Sequence, residues 1–229
     1  MSKTAYVVCG CKSWNRTVFA QDIAALPGTW HFIGKRERLT AAFLKKNHPR
    51  FVFFLHWSWK VPQEIFENFE CINFHMADVP YGRGGSPLQN LILRGHTTTK
   101  LSALRMTDAL DAGPVYLKEN MSLDGTAQEI LLRSSRLAAR MIGRIIREHP
   151  KPKEQRGNVV LFDRRTSGES RIPAGLSMRA LHDFIRMLDG EGYPPAFLES
   201  GGFRYELRSS VLYDDHLETH VTILPSAAP

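Results

Sequence analysis

The stretch Cys71-Ile72-Asn73-Phe74-His75 contains two polar side chains in an otherwise apolar segment. Its apolar residues alternate with Asn73 and His75, which predicts a strand that ends with two polar side chains on one face. A buried strand has little use for an amide and an imidazole unless partners satisfy them or they take part in chemistry. The run Tyr81-Gly82-Arg83-Gly84-Gly85-Ser86-Pro87 follows, and its glycines allow the backbone to approach another group closely. The sequence therefore indicates a functional site at this strand end.

Short apolar runs alternate with helical patterns along the first two thirds of the chain. The run Phe51–Leu55 is apolar throughout, which is typical of a fully buried strand, and Ala5–Cys9 and Trp30–Ile33 are earlier strand candidates. Strands and helices that alternate at this spacing predict an α/β fold, an open, mostly parallel, Rossmann-like sheet with helices on both faces. The segments Thr97–Met106 and Pro114–Leu117 predict an antiparallel hairpin at the edge of that sheet.

A change in composition at Pro150-Lys151-Pro152-Lys153 follows a long amphipathic helix predicted over Thr126–Glu148. We therefore expect a main domain over residues 1–150 and a small α+β extension over residues 151–229. The extension has a predicted helix over Ser177–Leu188, and its tail, Ser226–Pro229, is expected to be disordered. Its strand-like segments are Val159–Phe162, Phe203–Leu207, Val211–Tyr213 and Val221–Leu224.

The composition is that of an ordinary globular protein, with 43% hydrophobic and 23% charged residues. No apolar run approaches the roughly 18 residues of a membrane span, and the N-terminus leads directly into a strand-like segment without a signal peptide. The three cysteines are an odd number without zinc-site spacing, so we expect a reducing, cytoplasmic setting and no bound metal. Cys9 and Cys11 form a Cys-X-Cys pair, for which a structural role and a redox or metal role both remain open.

The net charge of +7 is dispersed along the chain. Its densest part, Lys35-Arg36-Glu37-Arg38 with Lys45-Lys46, is interrupted by an acid. This cluster either forms a solvated face or attracts a phosphorylated or polyanionic ligand. No strand interleaves aromatic and basic residues in the manner of RNA-binding sheets, so nucleic acid is a secondary possibility.

Ligands of open α/β sheets bind outside the carboxyl ends of the strands, which is where Asn73 and His75 are predicted to lie. Asp111, in Asp111-Ala112-Gly113-Pro114, is a candidate partner for them. An imidazole beside a carboxylate is a general acid or base near neutral pH, and a carboxamide can donate to a developing oxyanion. The chain has no nucleophile elbow, no Walker loop and no Gly-X-Gly-X-X-Gly after its first strand. The residues thus suggest acyl or formyl transfer without a covalent nucleophile, although His75 as a core histidine and Asp111 as a turn residue remain alternatives.

Three motifs in this order resemble the formyltransferases that use 10-formyltetrahydrofolate. They are Asn73-Phe74-His75, then Val79-Pro80-Tyr81-Gly82-Arg83-Gly84, and finally Asp111-Ala112-Gly113. The resemblance extends over roughly residues 5 to 150, and the separation between Asn73 and Asp111 is similar to that of the family. The resemblance is specific because all three motifs occur in the same order as in the family.

The resemblance implies direct transfer of a formyl group from 10-formyltetrahydrofolate to an unprotonated amine. It assigns Asn73 and protonated His75 to the tetrahedral oxyanion, and Asp111 to orienting His75 or a water and assisting removal of the amine proton. The implied folate-binding residues are Trp57, Ser58, Trp59, Lys60, Val61, Met106, Asp108 and Leu110. The implied acceptor-binding residues are Tyr81, Arg83, Gly84, Gly85 and Ser86. Trp57 and Trp59 either stack on the folate or form a hydrophobic plug.

Members of this family differ in the amine that receives the formyl group. The enzymes that act on methionyl-tRNA carry a C-terminal barrel of about a hundred residues, and fewer residues follow Pro152 here. The segment after the first strand has one glycine, Gly10, whereas the ribonucleotide enzymes have a glycine-rich phosphate loop there. Phe162-Asp163-Arg164-Arg165 and Tyr193–Phe197 are similar to sugar N-formyltransferases, which favours the amino group of a nucleotide-linked amino-deoxy sugar. A small hydroxyornithine-like amine, or a non-catalytic folate- or nucleotide-binding role, is the alternative, and a homodimer is expected.

Overall fold

The computed structural model describes residues 4–226 and divides the chain into two compact units. The first unit comprises the chain up to Gly84 together with Lys100–Met121 and Leu132–Leu161. The second unit comprises Gly85–Thr99, Ser122–Leu131 and the chain from Phe162 onwards. Each unit is therefore assembled from separate stretches of sequence.

A six-stranded sheet with the strand order β2-β1-β3-β4-β6-β7 forms the first unit. Its core strand β3 is buried at all five positions, as expected for an apolar run between two neighbours. Strand β1 pairs in parallel with β2 and with β3, and β3 pairs in parallel with β4, whereas β4 and β6 are antiparallel. The predicted mostly parallel α/β sheet is confirmed. The strands are β1 (Ala5–Gly10), β2 (Thr29–Ile33), β3 (Phe51–Leu55), β4 (Cys71–His75), β6 (Thr98–Arg105) and β7 (Val115–Ser122).

Two further strands, β5 (Tyr81–Gly84) and β8 (Val160–Phe162), form a small separate sheet. The sequence predicted β8 but described the residues of β5 as part of a glycine-rich loop. These residues form a strand because their backbone pairs with that of β8. The amide of Val160, for example, donates to the carbonyl of Pro80 beside β5 (3.2 Å).

Within residues 4–226, six α-helices connect the strands, and local sequence sets their ends. Thr40 caps α2, because its hydroxyl accepts a hydrogen bond from the amide of Phe43 (3.1 Å). At the start of α5, Thr126 and Glu129 bond each other's backbone amides, which satisfies two donors of the first turn. The helices are α1 (Ser13–Val18, continued by a π-helical turn over Phe19–Ile23), α2 (Ala41–Asn47), α3 (Gln63–Asn68), α4 (Pro87–Leu93), α5 (Ala127–Glu148) and α6 (Met178–Arg186).

The second unit contains α4, α6 and a three-stranded sheet with the order β11-β10-β9. Its strands are β9 (Ala196–Ser200), β10 (Phe203–Leu212) and β11 (Leu217–Pro225), all paired antiparallel. Two strands predicted over 203–207 and 211–213 are in fact the single strand β10 with an irregularity between Arg208 and Val211. Ser209 has a left-handed backbone there, and its amide donates to the carboxylate of Asp189 (2.7 Å), so the strand continues without an unpaired donor.

The predicted domain boundary after residue 150 stays a prediction, and the segment 151–161 lies in the first compact unit. The last three residues of the tail predicted to be disordered are outside the described residues. Among residues 4–226, no helix is both long and apolar enough to cross a membrane.

Candidate functional site

Strand β4 carries Asn73 and His75 at its carboxyl end, and the turn between β6 and β7 carries Asp111. The amide nitrogen Nδ2 of Asn73 donates to Oδ1 of Asp111 (3.0 Å). The other carboxylate oxygen, Oδ2, lies 3.4 Å from Nδ1 of His75 and accepts a hydrogen bond from the backbone amide of Gly84 (3.1 Å). The structure therefore brings the three residues predicted to be catalytic into one hydrogen-bonded group.

The tautomer of His75 follows from its second partner. Its Nε2 lies 2.6 Å from the carbonyl oxygen of Gly82, and a carbonyl can only accept, so Nε2 carries a proton. A protonated ring would then place its Nδ1–H toward the carboxylate of Asp111. The side chains of His75 and Asp111 are only 8% and 7% exposed, so this pair lies in a poorly solvated environment, where charges interact strongly.

Gly113 determines the shape of the turn that presents Asp111. A Cβ atom at this position would lie 1.9 Å from the carbonyl oxygen of Arg105, which no side chain tolerates. Asp111 itself has a left-handed backbone (φ 52°), a conformation that is unfavourable for residues other than glycine. The Asp-X-Gly pattern of the sequence thus has a steric basis in this turn.

Five predicted acceptor residues are divided between the two compact units. Tyr81, Arg83 and Gly84 belong to β5 in the first unit. Gly85 and Ser86 belong to the second unit, where a Cβ atom on Gly85 would lie 2.5 Å from Cα of Arg164. The hydroxyl of Ser86 accepts a hydrogen bond from the amide of Arg165 (3.0 Å). Within their unit, these two residues hold the segment around residues 162–165, and their role toward an acceptor stays a prediction.

The predicted folate segment after β3 has a mixed environment. Trp57 packs edge-on against the ring of Trp59, with a centroid distance of 4.8 Å, and its indole nitrogen is buried without a hydrogen-bond partner among the described residues. The hydroxyl of Ser58 lies 3.3 Å from Sγ of Cys11, Lys60 is exposed, and Val61 belongs to the core. Trp59 is 37% exposed. A cavity of about 280 Å³ lies beside this segment, and Trp57 and Lys60 help to line it.

The second predicted folate segment lies in the turn after β6. Met106 packs against the core cluster, and its amide donates to the carbonyl of Cys71 (2.8 Å). Asp108 is exposed, and Leu110 is 71% exposed. A large apolar side chain that remains so exposed has surface available to an apolar ligand, and the assignment of both residues to folate stays a prediction.

A buried polar cluster at the ends of β1 and β3 was not predicted as a unit. Nδ1 of His56 lies 3.4 Å from the indole nitrogen of Trp14, 3.2 Å from Nδ2 of Asn15 and 3.3 Å from the hydroxyl of Ser135. Asn15 also donates to Ser135 (3.2 Å). Burial, and then the positive charge of Lys12, lower the pKa of His56 to about 4, so its ring is neutral near pH 7. The partners lie up to 120 residues apart, and sequence spacing gave no signal for them.

Neither of two cavities found among the described residues is lined by Asn73, His75 or Asp111. One is the small cavity beside Trp57, and the other, of about 600 Å³, lies in the second unit beside Arg165, Arg179 and Phe184. The volume of a cavity does not by itself identify an active site, whereas polar side chains that converge and have fixed partners do. The described residues hold no group of three or more His, Cys, Asp or Glu side chains arranged to bind a metal ion.

Comparisons with known proteins show which family this chain is similar to. Residues 167–224 match a family model described as "Methionyl-tRNA formyltransferase, C-terminal domain". A methionyl-tRNA formyltransferase from Gluconobacter oxydans is 34% identical over 130 residues, which are 56% of this chain and 42% of the relative. The chain spans between about a third and about a half of the length of the curated relatives it matches.

Solved structures extend the likeness to nearly the whole chain. A structure of methionyl-tRNA formyltransferase from Clostridium thermocellum is 37% identical, has a TM-score of 0.92, and covers 97% of this chain and 100% of its own. A sugar N-formyltransferase from a Shewanella species has a TM-score of 0.66 at 14% identity, over 92% of this chain and 98% of its own, which shows a shared fold. The family resemblance stated from three short motifs is thus confirmed, and the chain belongs to the formyltransferase family.

Proposed function

We propose that this chain transfers a formyl group from 10-formyltetrahydrofolate to a primary amine. The observation that carries the proposal is the hydrogen-bonded group of Asn73, His75 and Asp111, which supplies donors for an oxyanion and a carboxylate for a proton. The formyltransferase family uses this donor. None of the three residues is a strong nucleophile, so the amine attacks the formyl carbon directly.

Each of the three residues has a separate task in this reaction. Nδ2 of Asn73 carries two hydrogens, of which Asp111 takes one, and the second is available to the formyl oxygen as it gains negative charge. Asp111 accepts the proton that the amine loses as its bond to carbon forms, directly or through a water. His75 faces the carboxylate with Nδ1, and its Nε2 proton becomes the second donor for the oxyanion when the formyl oxygen replaces the carbonyl of Gly82 as its acceptor. The proton is returned to the folate nitrogen as its bond to the formyl carbon breaks.

The folate donor fits the segment after β3. The indole N–H of Trp57 is buried and lacks a partner among residues 4–226, and an unpaired buried donor is costly unless a ligand satisfies it. The pterin and amide groups of a folate carry acceptors, and the rings of Trp57 and Trp59 offer aromatic surface. Trp57, Trp59 and Lys60 are the residues that we propose to hold the donor on this side.

Two acceptors are supported by separate observations. Methionyl-tRNA is supported by the names of the relatives, above all the structure from Clostridium thermocellum, which the present chain covers completely. Residues 167–224 match the model of a methionyl-tRNA formyltransferase C-terminal domain, so the short segment after Pro152 does not argue against a tRNA. A nucleotide-linked amino-deoxy sugar, the acceptor predicted from the sequence, is supported by the shared fold of sugar N-formyltransferases. We propose methionyl-tRNA first and the nucleotide sugar second.

The charge of the chain fits an acceptor that contains phosphate. Residues 162–229 carry seven arginines and ten acidic residues, so the excess positive charge of the chain lies before residue 162. A polyanion such as tRNA would therefore be attracted mainly to the part of the chain that contains the catalytic candidates. The predicted cytoplasmic location, supported by three free cysteines, suits either acceptor.

The test is a panel of amines incubated with 10-formyltetrahydrofolate, with release of tetrahydrofolate as the readout. The panel contains methionyl-tRNA, a nucleotide-linked 4-amino-4,6-dideoxy sugar and a hydroxyornithine-like amine, each with the wild type, Asn73→Ala and His75→Ala. We expect turnover with methionyl-tRNA that weakens steeply with salt and is lost in both variants. Turnover with the sugar alone would select the second acceptor. No turnover with any amine, or variants equal to the wild type, would refute formyl transfer.

We also propose that the chain forms a homodimer through the sheet of the second unit. Strand β11 is an edge strand of nine residues, and exposed apolar side chains lie on the face that it shares with β9 and β10. A long apolar edge is a template for pairing with another strand. The exposed side chains on this face are Leu198 (39%), Phe203 (46%), Val221 (40%) and Ile223 (58%).

Sedimentation analysis tests the dimer with two adjacent substitutions. Ile223 lies on the apolar face, and its neighbour Thr222 points to the opposite face of β11. We expect a wild-type dimer, a monomeric Ile223→Lys and a dimeric Thr222→Lys. A wild type that remains monomeric at tens of micromolar would contradict the proposal.

A further inference from the structure

Gln155 lies in the segment between α5 and β8, which the sequence alone presents as a linker. Its side chain uses all of its hydrogen-bonding groups on residues of the proposed site. Nε2 donates to the carbonyl oxygens of Asp111 (2.8 Å) and Gly113 (2.8 Å). Oε1 accepts from Nε (3.0 Å) and Nη2 (2.8 Å) of Arg83. One side chain thus connects the turn that presents Asp111 with the arginine of β5.

The arrangement requires a neutral amide. The carbonyl oxygens of Asp111 and Gly113 both need a hydrogen-bond donor at the same place, which requires a group with two hydrogens. The guanidinium of Arg83 needs an acceptor. Among side chains with the reach of glutamine, a carboxylate accepts but cannot donate, and an ammonium donates but cannot accept. Asparagine has the amide but is one methylene shorter. Gln155 is therefore matched to both partners by residue type and by length.

The backbone around Gln155 is held in place as well. Two residues earlier, Lys153 exchanges backbone hydrogen bonds of 2.7 and 2.9 Å with Val115 at the start of β7. Two residues later, Gly157 has a positive φ (117°), and a Cβ atom there would lie 3.7 Å from the ring of Pro80. These anchors fix the point from which the side chain extends, so its four hydrogen bonds are made by a pre-positioned group.

The effect on Asp111 follows from its backbone. Its left-handed conformation is strained for a residue that carries a Cβ atom, and it persists only where the surroundings enforce it. The two hydrogen bonds from Gln155 hold the carbonyls of Asp111 and Gly113, on either side of Ala112, and so fix the direction in which the carboxylate points. Misplacement of a reacting group by about 1 Å can cost two orders of magnitude in rate.

The effect on Arg83 is different. With Nε and Nη2 bonded to Gln155, the guanidinium is held in one orientation. The described residues provide no hydrogen-bond partner for its remaining nitrogen, Nη1. This nitrogen is therefore free to contact an anionic or carbonyl group of the acceptor, as predicted for Arg83 from the sequence.

We propose that Gln155 is a positioning residue that holds Arg83 and the Asp111 turn in register, so that the acceptor and the proton-accepting carboxylate are aligned. The proposal rests on the proposed formyl transfer and adds a residue to it. The substitution Gln155→Glu separates the two halves of the arrangement. A carboxylate keeps, and strengthens, the bonds to Arg83, but it loses both donors and faces the two carbonyls with negative charge. Gln155→Met removes both halves at similar length.

Steady-state kinetics with the amine that the wild type accepts are the test, with melting temperatures to confirm folding. We expect Gln155→Glu to lower kcat about 10- to 100-fold with an amine KM within about threefold of the wild type. Gln155→Met should lower kcat similarly and raise the amine KM as well, because Arg83 is released. The matched control, Gln63→Met, removes an amide that bonds Glu67 on the exposed face of α3 and should leave both constants unchanged.

The outcomes separate this proposal from the function on which it rests. If the wild type is active and both Gln155→Glu and Gln155→Met have the kcat and KM of the wild type, the role of Gln155 is overturned and formyl transfer stays intact. A parallel loss in both variants with no difference in amine KM would also overturn it, because that pattern reports a general loss of structure. A wild type without turnover would overturn the proposed function and this proposal together.

Discussion

Asn73 donates a hydrogen bond from Nδ2 to Oδ1 of Asp111 across 3.0 Å, and this bond joins the end of β4 to a turn 38 residues later. The substitution Asn73→Asp keeps the shape of the side chain but replaces the donor with a second carboxylate facing Asp111. We expect kcat to fall about 100-fold or more, because an oxyanion donor is lost and two like charges oppose each other. Release of tetrahydrofolate measures the change, with Asn68→Asp on α3 as control. Retention of the wild-type rate would show that Asn73 does not contact the oxyanion.

The buried cluster around His56 predicts a pH dependence of stability. Burial and Lys12 lower the pKa of His56 to about 4 in the folded chain, against about 6.5 when unfolded. Between these two pH values the unfolded chain binds more protons than the folded chain. The contribution of the neutral ring to the free energy of unfolding is therefore complete above about pH 6.5 and is lost as the pH falls toward about 4. The free energy of unfolding falls by at most about 3 kcal/mol over this range. Urea denaturation should show a shallower pH dependence in His56→Gln, and parallel curves would contradict the assignment.

The turn at Gly113 predicts a steric effect on stability and activity. Gly113→Ala would place Cβ against the carbonyl of Arg105, and relief requires the turn that carries Asp111 to move. We expect a loss of about 3 kcal/mol in the free energy of unfolding together with a reduced kcat. Gly168→Ala is the control, since a Cβ there meets no atom within 4 Å. Equal melting temperatures for the two variants would show that the close approach to Arg105 is absent in solution.

The three cysteines should react with iodoacetamide in an order set by burial. Burial, and then the charge of Glu70, raise the pKa of the Cys71 thiol to about 12, and burial also raises the pKa of Cys9. Cys11 is partly exposed. Because the thiolate is the reactive form, peptide mapping of the native protein near pH 8 should find label on Cys11 and not on the other two. Rapid labelling of Cys9 or Cys71 before unfolding would contradict the buried positions of β1 and β4.

The sequence predicted those features whose cause is local. The all-apolar run Phe51–Leu55 became the buried central strand β3, and the Asn-X-His and Asp-X-Gly motifs marked the three residues that the structure joins. Strand β10 was divided in the prediction because its polar centre, Arg208 to Ser210, is typical of a turn. The amide of Ser209 instead finds the carboxylate of Asp189, and a partner 20 residues away has no signature in the sequence.

Two other features depend on distant partners and were missed for the same reason. Gln155 follows a proline- and lysine-rich segment, where a glutamine indicates a solvated linker, and its partners lie 42 to 72 residues earlier in the chain. The cluster of Asn15, His56 and Ser135 forms only when β1, β3 and α5 come together. Hydrogen bonds of this kind are determined by the fold, whereas hydrophobic periodicity and glycine sterics can be inferred from neighbouring residues.

The central claim is that the carboxylate of Asp111 accepts the proton of the attacking amine. Single-turnover release of tetrahydrofolate by Asp111→Asn tests it most directly, because an amide keeps the shape of the side chain and one of its two acceptors but cannot take up that proton. Asp214→Asn, in the exposed turn before β11, is the control. We predict a rate at least about 100-fold below the wild type for Asp111→Asn at an unchanged melting temperature, and no change for the control. A wild-type rate in Asp111→Asn would contradict the account.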